Sequence, residues 1–223
     1  MRRIKDNTLS VAFLTLFLLC LAGQGLAGML HYNEQQLVEG GEPISYLAYL
    51  ASSSFAVDVA ENWQSEYLQF LLFIMFTVWM VQRGSPESKK PGDEGAESDE
   101  EQQIGRYAGA GSPAWARATG WRLRLYSSSL GLTMGLIFLL SWLAQSVAGL
   151  AAYNAERLGD LRDPVGWSGY VTSPDFWDRS LQNWQSELLA VLSMVVLSIY
   201  LRQRGSPESK PVGAAHSATG VEG

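Results

Sequence analysis

The stretch NWQSE, residues 62–66, leads into an apolar run that is followed by QRGSPESK, residues 82–89. Both motifs occur again 121 residues later, with the same spacing between them. Sliding the chain by 121 residues aligns residues 1–89 with residues 122–210 without a gap, and 30 of the 89 pairs are identical. A gapless match of this length indicates that the chain arose by internal duplication.

Each copy contains two apolar spans. The spans are Leu9–Leu30, Leu68–Val81, Leu130–Ala152 and Leu188–Leu201. A helix needs roughly 20 residues to cross ~30 Å of hydrocarbon, so the second and fourth spans are long enough only with NWQSE included. Because lipid cannot hydrogen-bond an exposed backbone, such segments are predicted to be helical. The sequence predicts an all-α integral membrane four-helix bundle of two tandem two-helix units.

The N-terminus also resembles a cleavable signal peptide. Arg2, Arg3 and Lys5 precede an apolar run that ends in the small residues near Ala27. The same small-residue pattern recurs near Ala148, after a complete internal span. The duplication therefore favours a first span that is retained in the mature protein.

Basic residues predict the orientation of the spans. They precede spans one and three and follow spans two and four, whereas residues 31–61 contain no Lys or Arg. The flanking basic residues are Arg2, Arg3, Lys5, Arg83, Lys89, Lys90, Arg122, Arg124, Arg202, Arg204 and Lys210. The positive-inside rule then places both termini in the cytoplasm of a bacterial cell, with the protein in the inner membrane. Because each unit has two spans, both units have the same orientation in the membrane. The repeats are then parallel and related by an axis along the membrane normal.

The net charge of −6 belongs mainly to one segment between the units. Residues 92–103 contain six Asp or Glu and no basic residue. The predicted domains are therefore a first unit at 1–90, a disordered acidic linker at 91–121, a second unit at 122–211 and a disordered tail at 212–223. No basic patch is interleaved with aromatic residues, so no nucleic-acid partner is expected.

The QRGSPESK motif suits a boundary between the membrane and the cytoplasm. Its Gly is predicted to end the preceding helix, and Ser-Pro to begin a new short helix with Glu in the first turn. Its basic residues would then contact anionic lipid headgroups, and a docking or anion-binding element is the alternative. The predicted anchor residues are Arg83, Ser85, Glu87, Lys89, Arg204, Ser206, Glu208 and Lys210.

The NWQSE motif has two interpretations. In the first it begins a helix at the outer interface, where Asn caps the helix and Trp joins the aromatic belt. In the second its glutamates lie inside the bundle and mark a path for an ion or proton. Gln24 and Gln145, at matching positions within spans, are predicted to bond between helices. The candidate polar or ion-site residues are Asn62, Ser65, Glu66, Gln69, Asn183, Ser186, Glu187, Gln24 and Gln145.

The residue inventory predicts neither an enzyme nor a cofactor or metal site. Cys20 is the sole cysteine, so no internal disulfide and no cysteine-based metal site can form. His31 and His216 do not occupy matching positions, and no GxSxG, HExxH or P-loop pattern is present.

The repeated motifs resemble those of a bacterial family of membrane proteins with a domain of unknown function. That family's hallmark is similar to NWQSE at one end of a span and RQxGSPESK at the other. Here the second copy has Arg202 at the leading position of the latter motif and the first copy has Val81. The resemblance implies a multi-pass bacterial membrane protein and no catalytic residues.

We therefore expect a non-enzymatic membrane protein, structural or interacting, such as a scaffold or envelope component. The alternative is a small transporter or channel that uses Glu66 and Glu187 at the repeat interface. The expected partners are the lipid bilayer and either a second copy of the chain or an unidentified membrane protein.

Overall fold

The computed structural model describes residues 6–221, and within them all regular structure is helical. The basic residues Arg2, Arg3 and Lys5, used above for orientation, lie outside the described residues. The α-helices are α1 Thr8–Val38, α2 Tyr46–Leu50, α3 Ser53–Trp79, α4 Trp121–Ser127, α5 Ser129–Gly159, α6 Trp167–Val171 and α7 Pro174–Tyr200.

The duplication reappears in the helix bounds. Helices α1 and α5 both have 31 residues, α2 and α6 both have 5, and α3 and α7 both have 27. In each of the three pairs the first residues are 121 positions apart, as in the aligned sequence. Equivalent positions of the two copies therefore begin and end the same helices.

Serine side chains explain where α3 and α7 begin. The Phe55 backbone N–H donates to Ser52 Oγ at 3.2 Å, and the Phe176 N–H donates to Ser173 Oγ at 3.3 Å. A serine before the first turn satisfies an N–H that has no partner within the helix. Both serines occupy matching positions in the two copies, so both helices begin about nine residues before the NWQSE motif.

Helices α1 and α5 are long and apolar enough to cross a membrane, with mean hydropathies of 2.0 and 1.7 over their best windows. At ~1.5 Å per residue, 31 residues extend over about 47 Å, more than the ~30 Å hydrocarbon layer. Helices α3 and α7 do not meet the same hydropathy criterion. The polar NWQSE residues in their middle are the physical reason.

The chain divides into two compact units that cut across the duplication. The first unit contains the described residues up to Ala60 together with Ala144–Phe176. The second contains Glu61–Leu143 together with the described residues from Trp177 onward. The first unit thus takes one segment from each copy, and the second takes the rest of both copies together with the residues between them. The predicted division at residues 90 and 122 concerns the repeats, and it stays a prediction.

In the first unit, an asparagine fixes the loop after each long helix. Asn33 Nδ2 donates to Ile44 O at 2.9 Å, and Asn33 Oδ1 accepts from the Ile44 N–H at 2.8 Å. Asn154 makes the same two bonds to Val165, at 2.9 and 2.8 Å. One side chain therefore satisfies both backbone groups of a loop residue, which closes the loop onto the helix.

The short helices α2 and α6 each bury a tyrosine against the preceding long helix. Tyr49 is 4% exposed and Tyr170 is fully buried. A Cβ added to Gly28 would overlap the Tyr49 side chain, and one added to Gly149 would overlap Tyr170. Glycine at both helix positions thus admits a ring that any other residue would displace.

In the second unit, the residues between the repeats form turns and two 3₁₀ segments, at Gly105–Tyr107 and Ala114–Arg117. The disorder expected for the linker and the tail stays a prediction.

Indoles of α5 and α7 also meet in this unit: Trp184 lies 5.8 Å from Trp142 and 6.3 Å from Trp177, centroid to centroid.

Candidate functional site

The NWQSE motifs lie in the middle of helices. Helix α3 begins at Ser53, nine residues before Asn62, and α7 begins at Pro174, nine residues before Asn183. The interpretation of the motif as a helix start capped by asparagine is therefore wrong, because the cap is supplied upstream by a serine. Asn183 instead donates its side-chain amide to Arg179 O at 2.9 Å, within the helix.

The two copies of NWQSE contact each other within the second unit. The indole Nε1 of Trp184 donates to Gln64 Oε1 at 2.6 Å, and Gln64 is fully buried. One turn away, the Arg179 guanidinium lies 3.4 Å from the Glu61 carboxylate. The middle residues of the motif, Gln64 and Trp184, were not among the predicted site residues, although both repeat. A polar residue flanked by a matched indole in both copies is the signal that would have selected them.

The predicted glutamates lie within electrostatic range of each other. Glu66 and Glu187 are near enough to interact electrostatically, with Glu66 exposed and Glu187 half-buried. In each motif a serine lies between the asparagine and the glutamate, and its hydroxyl bonds within its own helix. Ser65 Oγ donates to Asn62 O at 2.8 Å, and Ser186 Oγ donates to Asn183 O at 2.9 Å. The motif therefore presents two carboxylates within electrostatic range of each other, while its hydroxyls are used by the helix backbone.

The remaining candidate amides occupy unlike environments. Gln24 is exposed on α1, and Gln145, its match on α5, is fully buried; both belong to the first unit. Gln69 lies on α3 in the second unit, one turn after Glu66, and lines a cavity described below. Equal sequence positions thus do not give Gln24 and Gln145 equal surroundings.

The QRGSPESK motif forms a closed turn in both copies. The Ser85 N–H donates to Gln82 O at 3.1 Å, with Gly84 at φ +91, as the third position of a type II turn requires. The Gln82 N–H then donates to Ser88 Oγ at 2.7 Å, which ties the end of the turn to its start. In the second copy Ser209 Oγ accepts from the Gln203 N–H at 2.9 Å.

This geometry corrects two expectations about the motif. The preceding helix α3 ends at Trp79, five residues before Gly84, so the glycine belongs to a separate turn and does not cap the helix. No helix begins at Ser85 or Ser206. The reason is the hydroxyl of the last serine, which binds the N–H at the start of the motif and holds the segment as a loop.

The two motif lysines contact different parts of the chain itself. Lys89 Nζ lies 2.6 Å from a Glu97 carboxylate oxygen in the acidic linker. Lys210 is 1% exposed, and its ammonium donates to Gly84 O at 2.6 Å and His216 O at 2.9 Å. The ammonium also donates to the carbonyls of residues 215 and 218 in the tail, so through its bond to Gly84 O it links the tail to the first motif.

The other predicted anchor residues divide between the surface and the interior. Arg83, Arg204 and Glu208 are exposed, and Ser206 is half-buried. Glu87 is half-buried and lies beside the carboxyl of Glu208, its match in the second copy. Burial and this acidic neighbour raise the pKa of Glu87 to about 7.

A cavity of about 250 Å³ lies in the second unit, bounded by α3, the first QRGSPESK turn and α7. Its lining is Gln69, Leu72, Phe73, Phe76, Thr77, Met80, Val81, Gln82, Ser85, Glu87, Ser88, Leu188, Val191 and Val195. No pattern along the chain indicates it, because a cavity between helices depends on how the helices pack.

Comparison with known proteins identifies a family. The family model described as a domain of unknown function (DUF6766) matches residues 1–221. No curated protein and no solved structure matches the chain.

Proposed function

Because the chain belongs to the DUF6766 family, whose domain has no known function, we propose a role from its geometry: a non-enzymatic, multi-pass protein of the bacterial inner membrane that acts as a structural or interaction protein. The four long helices α1, α3, α5 and α7 would span the membrane as two parallel two-helix units, with both termini in the cytoplasm. No cofactor and no nucleic acid takes part in this role.

The burial pattern supports the membrane assignment. Among the described residues, twelve polar or charged side chains are buried against seven hydrophobic ones, while most large leucine and phenylalanine side chains are exposed. On α1, Phe13 is 66% exposed and Leu19 is 65% exposed. A protein in water would not leave so much contiguous apolar surface uncovered, whereas lipid covers such a surface without cost.

Helix length supports four spans. Helices α3 and α7 have 27 residues each, or about 40 Å at ~1.5 Å per residue, which exceeds the hydrocarbon thickness. Glu66 is 13 residues from either end of α3, about 20 Å along the axis. Its counterpart Glu187 has the same position in α7.

The observation that carries the structural role is that most polar groups of the repeated motifs bind the chain itself. Trp184 is hydrogen-bonded to Gln64, Ser88 closes its own turn, and Lys210 fastens the tail to the first motif. A site that processes a substrate keeps such groups directed toward the substrate, whereas a scaffold uses them to fix its own geometry.

Topology is tested by cysteine labelling in a Cys20→Ala background. A membrane-impermeant maleimide should label Glu42→Cys, in the first outer loop, on intact cells. It should label Glu100→Cys, in the linker, only after the cells are permeabilised. Labelling of Glu100→Cys on intact cells would overturn the orientation.

Complementation distinguishes a structural role from transport. In a host strain that lacks the protein and shows an envelope defect, Glu66→Gln/Glu187→Gln should restore the wild-type phenotype. Lys210→Met, which removes the ammonium that joins the tail carbonyls to Gly84 O of the first motif, should not. The opposite result would refute the structural role and favour transport.

A small cation transporter or channel is the second candidate, favoured by the position of Glu66 and Glu187. Two carboxylates close together and midway along spanning helices are the kind of group that marks an ion or proton path in membranes. Flux into liposomes should then fall in Glu66→Gln/Glu187→Gln and persist in Glu100→Gln. Absence of flux with the wild-type protein would exclude transport of the ions tried.

Four spans are few for a transporter, so either role is compatible with a homodimer or with an unidentified membrane partner. We propose the homodimer, because the exposed apolar face of α1 permits helix–helix contact with a second copy. Native mass spectrometry of the purified protein in detergent checks this. A monomer at all concentrations would contradict it.

A further inference from the structure

The cavity of the second unit combines an apolar wall with a polar group at one end. Its apolar lining comes from both α3 and α7 and includes the rings of Phe73 and Phe76. The first QRGSPESK turn contributes Ser85, Glu87 and Ser88 to the same lining. A concave apolar surface with a few convergent polar groups is the usual form of a small-molecule site.

Ser85 provides a hydroxyl that has no hydrogen-bond partner among residues 6–221. The residue is 1% exposed, and within the described residues its Oγ makes no hydrogen bond. Its backbone groups are both satisfied, by Gln82 O and by the Gly220 N–H. A buried hydroxyl left unsatisfied costs about 1–3 kcal/mol, and its oxygen, the negative end of the O–H dipole, favours a positive charge beside it.

The charge at this end of the cavity is negative. Glu87 lines the cavity and lies beside Glu208, and within residues 6–221 no ion pair joins either carboxyl to a basic side chain. The nearby basic groups are engaged elsewhere: Lys89 with Glu97, and Lys210 with backbone carbonyls. Arg202 also donates to backbone carbonyls, and Arg83 and Arg204 are exposed.

The raised pKa of Glu87 agrees with a lack of basic side chains beside it in the described residues. Burial and the Glu208 carboxyl raise the pKa of Glu87 to about 7, so a proton is retained where a cation would otherwise neutralise the pair. A cation that binds at this end would displace that proton. Its binding should therefore strengthen as the pH rises through about 7.

We propose that this cavity binds a small organic cation, an ammonium group carried on a compact apolar or aromatic body. The ammonium would lie by the carboxyl of Glu87 and the hydroxyl of Ser85, and the apolar body would pack against Phe73, Phe76 and Val195. Aromatic faces attract such cations further by cation–π interaction. The site goes beyond the structural role proposed above and does not depend on it.

The size of the cavity selects among cations. A volume of about 250 Å³ equals roughly eight water molecules at ~30 Å³ each, which is too little for a two-chain lipid. The mainly apolar lining offers few of the oxygen ligands that a bare Mg²⁺ or Ca²⁺ requires. A ligand of about ten non-hydrogen atoms with a single positive charge fits both limits.

Phenyltrimethylammonium is a suitable probe because its charge does not change with pH. The neutral molecule tert-butylbenzene has the same shape and serves as the matched ligand. Binding to the full chain in a non-ionic detergent is measured by isothermal titration calorimetry from pH 5.5 to 8.5. The cation should bind more tightly than the neutral molecule at pH 8, and its affinity should fall about tenfold per pH unit below about 7.

Two variants separate charge from shape. Glu87→Gln should weaken cation binding at pH 8 at least tenfold and leave tert-butylbenzene binding unchanged, while Glu100→Gln in the linker should change neither. Val195→Phe fills the cavity and should abolish both. Thermal unfolding of each variant establishes that it is folded.

Three results would overturn the proposal. They are the absence of cation binding to the wild type, equal affinity for the charged and neutral molecules at pH 8, and unchanged cation affinity in a folded Glu87→Gln variant. The last two would leave an apolar cavity with no preference for charge.

Discussion

Replacing Gly28 by alanine should disturb the packing of α2 against α1. The added Cβ would overlap the hydroxyl of Tyr49 and would lie 2.8 Å from two atoms of its ring, closer than real Cβ contacts allow. Tyr49 cannot easily move, because it is 4% exposed and packs between Tyr32 and Phe55, at 5.9 and 5.7 Å between ring centroids. Either the ring or the helix must therefore shift.

Two terms of opposite sign determine the size of the effect. Alanine is favoured over glycine within a helix by about 0.5–1 kcal/mol. Forcing an extra methyl into a packed site costs about 1–3 kcal/mol. Gly23 on the same helix has nothing within 4 Å of an added Cβ, so Gly23→Ala contains only the first term. The difference between the two variants isolates the steric cost, about 1–3 kcal/mol.

Thermal unfolding in detergent, followed by tryptophan fluorescence, measures this difference. Gly28→Ala should unfold below Gly23→Ala by ~2–4 °C for each kcal/mol. Gly149→Ala should repeat the loss, because its Cβ would overlap Tyr170 in the same way. Equal melting temperatures for Gly28→Ala and Gly23→Ala would refute the packing of Tyr49 on this glycine.

Three further predictions concern the QRGSPESK turns. Ser88→Ala removes the hydroxyl that accepts a hydrogen bond from the Gln82 N–H. Chemical denaturation should therefore show a free energy of unfolding lower by about 1–3 kcal/mol. Lys210→Met should make the tail sensitive to limited proteolysis, since its ammonium holds the tail carbonyls, while the exposed Lys90→Met should not. An equally protected tail in both would contradict the bonding of Lys210. Burial and the neighbouring carboxyl raise the pKa of Glu87 to about 7, so the folded state binds more protons than the unfolded state between pH ~4.5 and ~7. This stabilisation is fully present below pH ~4.5 and is lost as the pH rises through about 7; melting curves of Glu87→Gln should lack this slope, and Glu100→Gln should keep it.

Much of the fold was predictable because it depends on local sequence. The 121-residue offset anticipates the matched bounds of α1 and α5, and of α3 and α7. The prediction that α3 and α7 begin at Asn62 and Asn183 is wrong, because the helices begin at Ser53 and Pro174. The serines at 52 and 173, matched in both copies, were the available signal, and their hydroxyls cap the two helices.

The candidate site was only partly predictable. The repetition of Glu66 and Glu187 selected two groups that the structure brings close together. The bond between Trp184 and Gln64 joins residues 120 positions apart, and no local pattern specifies such a partner. The cavity lined by Ser85 and Glu87 likewise depends on the packing of α7 beside α3.

The sequence by itself determined the duplication, the helical character and the apolar surfaces, because these follow from the spacing of residues along the chain. Only the tertiary structure decided what identical residues do. Gln24 is exposed and Gln145 is buried, and Lys89 binds the linker while Lys210 fastens the tail to the first motif. Duplication copies local signals, but the linker follows one copy and the tail follows the other, so each lysine meets a different neighbour.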